Sequence, residues 1–415
     1  MTRLVLTNVN LLDGENPPVP LSTIVVDGDR ISDVVRGGPV AARESDKVLD
    51  LSGHTVMPGM TLGHFHAAYV EVGSTQVPFG LENQPGYTAM AAAKNVETAL
   101  SYGFTGVVGA GATNDLDPAL VQAVADGLVN GPRIVPCSRE MSTTGHSNDW
   151  TPWWWDSRAI GATRVLDGAE QFRQGVREEI KHGARMIKLY LTGGHGVYSP
   201  KEQMEMTEDE LRAAVETAHS RGARARAHIA NKHAIMLALE VGLDVIDHAD
   251  GMDDEAISAI VEANVPVVPG AYFPQRILGI LEQEGRYERA AAMREDVEKD
   301  NDALRKAARA GVKLCLGDDY GAAILQHGQY AEEMLSYVKN VGLTPLEVIK
   351  MATVNGAELQ GGIGAEAGKI DAGRRADLVV LTSDPSVELS ILGDRNNIAA
   401  VILDGQVKVG ALPTS

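Results

Sequence analysis

Strand-then-helix alternation runs through the middle of this chain and restricts it to a parallel sheet covered by helices. Short apolar segments recur as GVVGA (106–110), RIVPC (133–137), RMIKLYL (185–191), ARARAHI (223–229), DVIDHA (244–249), VPVVPG (265–270) and VKLCLG (312–317). Helical stretches separate most of them. In TEDELRAAVETAHSRG, Thr207 and Glu210 form a capping box. Leu211, Ala214, Val215 and Ala218 form one apolar face, and Gly222 ends the helix. A closed barrel and an open doubly wound sheet share this grammar. The 415 residues fit one barrel of roughly 250–300 residues plus smaller additions.

The two ends read differently. LVLTNVNLL, TIVVDG and the run from Lys47 to Val56 are β-rich, with Asp-Gly turns at Asp13-Gly14 and Asp27-Gly28. ADLVVL (376–381) and AAVILDGQV (399–407) repeat the pattern near the other end. The expectation is an α/β chain. A (β/α)₈ TIM-like barrel would span residues 57–358, and residues 1–56 and 359–415 would pair into one small β-sandwich domain.

A net charge of −19, from 37 basic and 56 acidic residues, repels nucleic-acid phosphates and anionic membranes. Cys137 and Cys315 are the only cysteines, too few for a disulfide framework or a zinc-thiolate site, so a reducing cytoplasm is the simplest setting. The first residues, MTRLVLTNVNLLDG, contain no continuous apolar run of the signal-peptide kind. No apolar stretch approaches the ~20 residues that span a bilayer. The expected partner is a small-molecule substrate.

Six side chains carry the chemistry. His64 and His66 form a His-x-His pair, and residues i and i+2 of a strand point to the same side, so both imidazoles reach one cation from one strand end. Lys188 lies inside the apolar RMIKLYL. An isolated lysine of this sort commonly snorkels to water, whereas a desolvated neutral amine reacts with CO₂ to give a carbamate anion with two oxygens. His228 ends ARARAHI and His248 ends DVIDHA, at the strand ends where barrel enzymes place their chemistry. Asp318 and Asp319 follow VKLCLG. Adjacent residues on a strand face opposite ways, so one of the two enters the site. Neutral imidazoles with oxygen anions suit zinc, with manganese, cobalt or iron as alternatives. A bound metal lowers the pKa of water from ~15.7 to about 7.

With these motifs the chain resembles the amidohydrolase superfamily, most closely its Xaa-Pro dipeptidase branch, with imidazolonepropionase-related and amide- or phenylurea-cleaving members nearby. VMPGM before His-x-His, MIKLYLTGG, AHIANKHAIMLALEVGLDVIDHAD and GKIDAGRRADLVVLTSDP carry the likeness over nearly the whole chain. The resemblance implies two divalent metal ions. His64 and His66 would bind the more buried one, His228 and His248 the second, and carboxylated Lys188 would bridge them. The family frame Leu-Gly-Thr-Asp is filled by Leu316-Gly317-Asp318-Asp319, which makes Asp319 the metal-binding proton shuttle. Leu62 stands where many members carry Asp. Relatives of this kind often form homo-oligomers.

Specificity is expected in the loops. STTGHSNDWTPWWWDS holds all four tryptophans, Trp150, Trp153, Trp154 and Trp155, as a rim contact or as a wall over an apolar substrate group. His146, His195, Tyr198, Tyr272 and His327 are further substrate-contact candidates. The leading reading is hydrolysis of an amide-type C–N bond in an amide, N-acyl, urea or carbamate substrate, with an apolar or aromatic group. A dipeptidase, a deaminase or lactonase, and a non-catalytic barrel are the alternatives.

Overall fold

The computed structural model describes residues 3–73, 80–154, 160–197 and 199–412. Five strands open the chain: β1 (Leu4–Leu11), β2 (Val19–Asp27), β3 (Arg30–Val35), β4 (Lys47–Asp50) and β5 (Thr55–Pro58). The central strands are β6 (Met60–Phe65), β7 (Phe104–Gly109), β8 (Arg133–Val135), β9 (Cys137–Ser142), β10 (Thr163–Val165), β11 (Met186–Tyr190), β12 (Arg224–Ile229), β13 (Val245–His248) and β14 (Val267–Val268). The chain closes with β15 (Leu378–Leu381), β16 (Ile398–Leu403) and β17 (Gln406–Gly410). Helices cover the central strands: α1 (Pro85–Ser101), α2 (Leu116–Ala125), α3 (Ala169–His182), α4 (Glu208–Ser220), α5 (Lys232–Val241), α6 (Asp254–Ala263), α7 (Tyr272–Gln283), α8 (Tyr287–Ala310) and α9 (Tyr330–Ser336).

Every pairing among the central strands is parallel. One sheet runs β10-β9-β11-β12-β13-β14 and a second runs β6-β7-β8. The helix expected after Thr207 is α4, and its capping box is formed: Thr207 accepts the Glu210 N–H and the Glu210 carboxylate accepts the Thr207 N–H.

The expected strand VKLCLG does not form a ladder. Leu314 makes one parallel bridge to Val267. Main-chain bonds run from Val267 to Lys313 (3.0 Å), from Cys315 to Val267 (2.9 Å) and from Gly63 to Leu316 (2.6 Å). This extended segment therefore lies between β14 and β6. Gly317 ends it with φ 151°, and a Cβ there would sit 2.2 Å from the His64 main-chain nitrogen. The close approach lets the chain turn directly over His64.

The two ends of the chain share a sheet. β5 pairs with β1 in parallel and with β15 antiparallel, giving the order β17-β16-β15-β5-β1-β2-β3 with β4 on β1. Where a small sandwich is expected, strands from the two ends are hydrogen-bonded into one continuous eight-stranded sheet. Its two faces serve two cores, as the two-residue period of a strand requires. Val379, Leu381 and Val401 join the large core beneath the parallel strands. Leu378, Val380, Ala400 and Ile402 pack instead with Leu6, Ile24 and Val56. Among the described residues, no helix is long and apolar enough to cross a membrane.

Candidate metal centre

The parallel strands deliver their polar residues at their C-terminal ends, the end that carries chemistry in barrel enzymes. His64 lies near the end of β6 and His66 just beyond it, both buried. The His66 Nδ1–H donates to the Gly111 carbonyl at 3.2 Å, which leaves Nε2 as a bare lone pair. His64 Nδ1 faces the Asp247 carboxylate at 3.3 Å, which favours the same tautomer. The two Nε2 atoms then stand 3.0 Å apart. The Asp319 Oδ1 lies 3.0 Å from His64 Nε2 and 3.3 Å from His66 Nε2. Three lone-pair atoms converging with no donor between them repel one another unless a cation sits among them.

A second histidine pair adjoins the first. His228, in β12, donates from Nε2 to the Gly194 carbonyl at 3.2 Å, so its Nδ1 keeps a lone pair. His248, the last residue of β13, takes φ 68° and keeps a buried Nδ1 with no hydrogen-bond partner among the described residues. The two rings lie 4.5 Å apart. Ligand atoms of His64, His248 and Asp319 all fall within 4.8 Å of one another. Burial holds His64 below the ordinary imidazole range, pushes His228 down to about 3 and holds His248 well below its usual value. Neutral imidazoles are the form that binds metal. The donor set and the orphaned His248 nitrogen both fit a divalent cation.

Lys188 lies fully buried in β11, with Nζ 2.6 Å from Asp247 Oδ2. Asp247 also takes Arg226 Nε at 3.0 Å, a second bond from Arg226 Nη2, and the His64 contact. Arg226 Nη1 donates to the carbonyls of Gly63 and Gly109, both at 2.9 Å. Burial opposes ionisation of Asp247, but Arg226 and Lys188 hold its carboxyl well below the usual range. Arg226 and Asp247 lie in segments identified from sequence, yet neither residue stood out. An arginine in an apolar strand was the available signal.

The adjacent aspartates divide their roles. Asp319 reaches the imidazoles. Asp318 is buried, and its Oδ2 accepts the N–H groups of Tyr272 and Phe273 at 3.0 and 3.1 Å, the first two residues of α7. Glu333 of α9 accepts the Gly317 N–H at 3.1 Å and the Tyr320 hydroxyl at 2.8 Å, bracketing both aspartates. Glu140, on β9, was not legible either. Its carboxylate accepts the Tyr69 hydroxyl and the Asn148 amide, and the Tyr190 hydroxyl reaches the same pair. Tyr69 stacks on His66 at 3.8 Å and Tyr190 on His228 at 4.8 Å.

The substrate-contact candidates scatter. His195, at φ 46°, lines the cavity above the centre and stacks on His248 at 3.7 Å. His146 does not line that cavity, and its Nδ1 is held 3.1 Å from Glu205. Trp153 and Trp154 are 91% and 67% exposed and stack edge-to-face on each other, whereas Trp150 lines the cavity. Tyr272 donates its N–H to Asp318, and its neighbour Phe273 reaches the cavity. His327 is half-buried and donates from Nε2 to the His66 carbonyl at 3.2 Å, a support beneath the imidazole cluster. Trp155 and Tyr198 lie outside the described residues.

The amidohydrolase family matches residues 55–408. This chain belongs to the amidohydrolase family. The ochratoxinase of Aspergillus niger is 25% identical to this amidohydrolase over 378 residues, covering 86% of this chain and 76% of that protein. A prolidase solved as a complex with N-methylphosphonate-L-proline is 30% identical, covers 98% of this chain and 99% of its own, and superposes with a TM-score of 0.84. A Xaa-Pro dipeptidase solved with methionine in its active site is 27% identical at the same coverage and the same TM-score.

Proposed function

We propose that this amidohydrolase cleaves an amide-type C–N bond, in an amide, N-acyl, urea or carbamate substrate. Two divalent metal ions, zinc by the mixed nitrogen and oxygen donors, would be held by His64, His66, Lys188, His228, His248 and Asp319. The observation that carries this reading is the convergence of His64 Nε2, His66 Nε2 and Asp319 Oδ1 within 3.3 Å. Lys188 would enter as its carbamate, formed by adding CO₂ to the amine with release of two protons to solvent, and Asp247 stays bonded to Arg226 and His64.

When bound, the two ions supply hydroxide at neutral pH and polarise the substrate carbonyl. The chain does the rest. Gly111 and Asp247 fix the rings of His66 and His64 from behind. Asp319, which lines the cavity, takes the proton of the attacking water and passes it to the departing nitrogen. That delivery is required because an amide anion is a poor leaving group.

The same proposal extends to the architecture. β6, β7, the β8–β9 pair joined through Pro136, β11, β12, β13, β14 and the segment 313–316 would be the eight strands of one closed barrel over residues 57–358. Residues 1–56 and 359–415 would form the flanking domain. A dipeptidase is the second reading, favoured by the 30% identity to a prolidase.

Metal analysis with a substrate screen tests the function. Purified protein should bind about two metal equivalents per chain, with uptake raised by bicarbonate through Lys188. Zinc-, cobalt- or manganese-loaded protein should hydrolyse members of an amide, anilide, urea, carbamate and dipeptide panel, and chelation should abolish this. A folded protein that takes up no metal refutes the proposal.

A further inference from the structure

A cavity of about 140 Å³ opens onto Asp319 and His228. Its aromatic walls are Tyr69, Trp150, Tyr190 and Phe273, and Val72 and Val197 add aliphatic surface. The polar ends of these aromatics are already engaged by protein. The Trp150 indole donates to the Ser147 carbonyl at 2.8 Å, the Tyr69 hydroxyl donates to Glu140, and the Tyr190 hydroxyl reaches Glu140 and Asn148. The Asn148 amide is held by Glu140 as well.

Charge points the same way. Among the described residues, no lysine or arginine lines the cavity. The cationic candidate on its wall, His195, faces Asp250 at 2.9 and 3.1 Å and has Gly270 carbonyl oxygen 3.2 Å from its other nitrogen. Lys188 and Arg226 both pair with Asp247. Away from the metal ligands, an organic carboxylate in this cavity meets ring faces, and among the described residues no lysine, arginine or unpaired imidazole replaces its hydration.

We propose that the substrate is a neutral molecule: an aromatic or comparably apolar amide, anilide, urea or carbamate with no free carboxylate beside the scissile bond. The proposal rests on the hydrolase reading above. Water adds across the C–N bond, the acyl carbon gaining the hydroxyl and the nitrogen the proton, to release an acid and an amine. The aromatic group lies against Trp150 and Phe273.

A matched pair tests it: N-benzoylphenethylamine and N-benzoylphenylalanine, which differ by one carboxylate. With the zinc-loaded full chain, kcat/KM for the neutral member should be higher by about tenfold or more. Calorimetry on the metal-free full chain, where turnover is blocked and Asp319 is kept, should show the same preference in binding. Val197→Arg, which adds a cation to the wall, should shift both ratios toward the carboxylate. Equal or better use of N-benzoylphenylalanine overturns the proposal, as does failure of both compounds to bind at millimolar concentration. If both bind and neither is cleaved by metal-verified protein, the hydrolase reading fails, and the binding ratio still decides the substrate chemistry.

Discussion

Asp319 Oδ1 stands 3.0 Å from His64 Nε2, while the neighbouring Asp318 carboxylate accepts the first two N–H groups of α7. Two consecutive carboxylates therefore serve the imidazole cluster and a helix N-terminus, where a negative charge is favoured and the amides lack intrahelical partners. Substitution should separate them. Asp319→Ala is expected to lower kcat by at least about 10²-fold and to weaken metal retention. Asp318→Asn should keep the metal stoichiometry and act mainly on KM, through the Phe273 wall. Steady-state kinetics paired with metal analysis reads the split. Equal losses of kcat and metal in both variants would show that the two act as one unit.

The Asp247 carboxylate holds two buried cations and one imidazole at once. Removing its charge strands Lys188 and Arg226 in the interior. Asp247→Asn should therefore destabilise metal-free protein by about 3–5 kcal/mol, measured by urea unfolding. Adding Lys188→Met to that variant should cost less than Lys188→Met alone, because one uncompensated charge is removed. A variant as stable as the parent protein would mean that this network contributes nothing.

Glu140 ties the Tyr69 hydroxyl and faces that of Tyr190, and the two rings lie on His66 and His228, one from each histidine pair. It is a positioning residue for the centre. Glu140→Gln should reduce metal affinity by about 10–100-fold and alter the visible absorption of cobalt-loaded protein. Tyr69→Phe keeps the ring and loses the tether, so it should show a smaller change of the same kind. An unchanged cobalt spectrum in Glu140→Gln protein would assign the residue to folding alone.

The legible part of this chain was its local part. Thr207 and Glu210 lie three residues apart, and their capping box forms as their spacing demands. His64, His228 and His248 lie on strands whose apolar neighbours mark them, and their placement follows from strand direction. The partners that orient them were not legible. Asp247 meets Lys188 across 59 residues of sequence, and no spacing rule reaches that far. Glu140 sits in CSREMS, whose charged residues hide a fully buried strand position. VKLCLG is apolar enough for a strand, yet Gly317 turns the chain before a ladder forms. In the tryptophan loop no periodicity says which ring turns inward, and Trp150 lines the cavity while Trp153 faces solvent.

His195 gives the fold a pH dependence of definite sign. Burial alone would lower its pKa, but the Asp250 carboxylate beside it raises it from the ordinary 6.5 to about 9. The folded protein therefore holds this proton more tightly than the unfolded chain does. The stabilisation is fully present below about pH 6.5, declines as pH rises, and is lost above about pH 9. Asp300, pushed up to about 6 by burial and by Asp250, titrates mostly below that window. In metal-free protein, Asp250→Asn should lower stability by about 1–3 kcal/mol at pH 6, and the gap from the parent should close by about pH 10. Urea unfolding midpoints of both proteins across this range test the claim. A gap that stays constant with pH would show that His195 is not held as an imidazolium, and that its stacking on His248 and its bond to Gly270 fix the loop without charge.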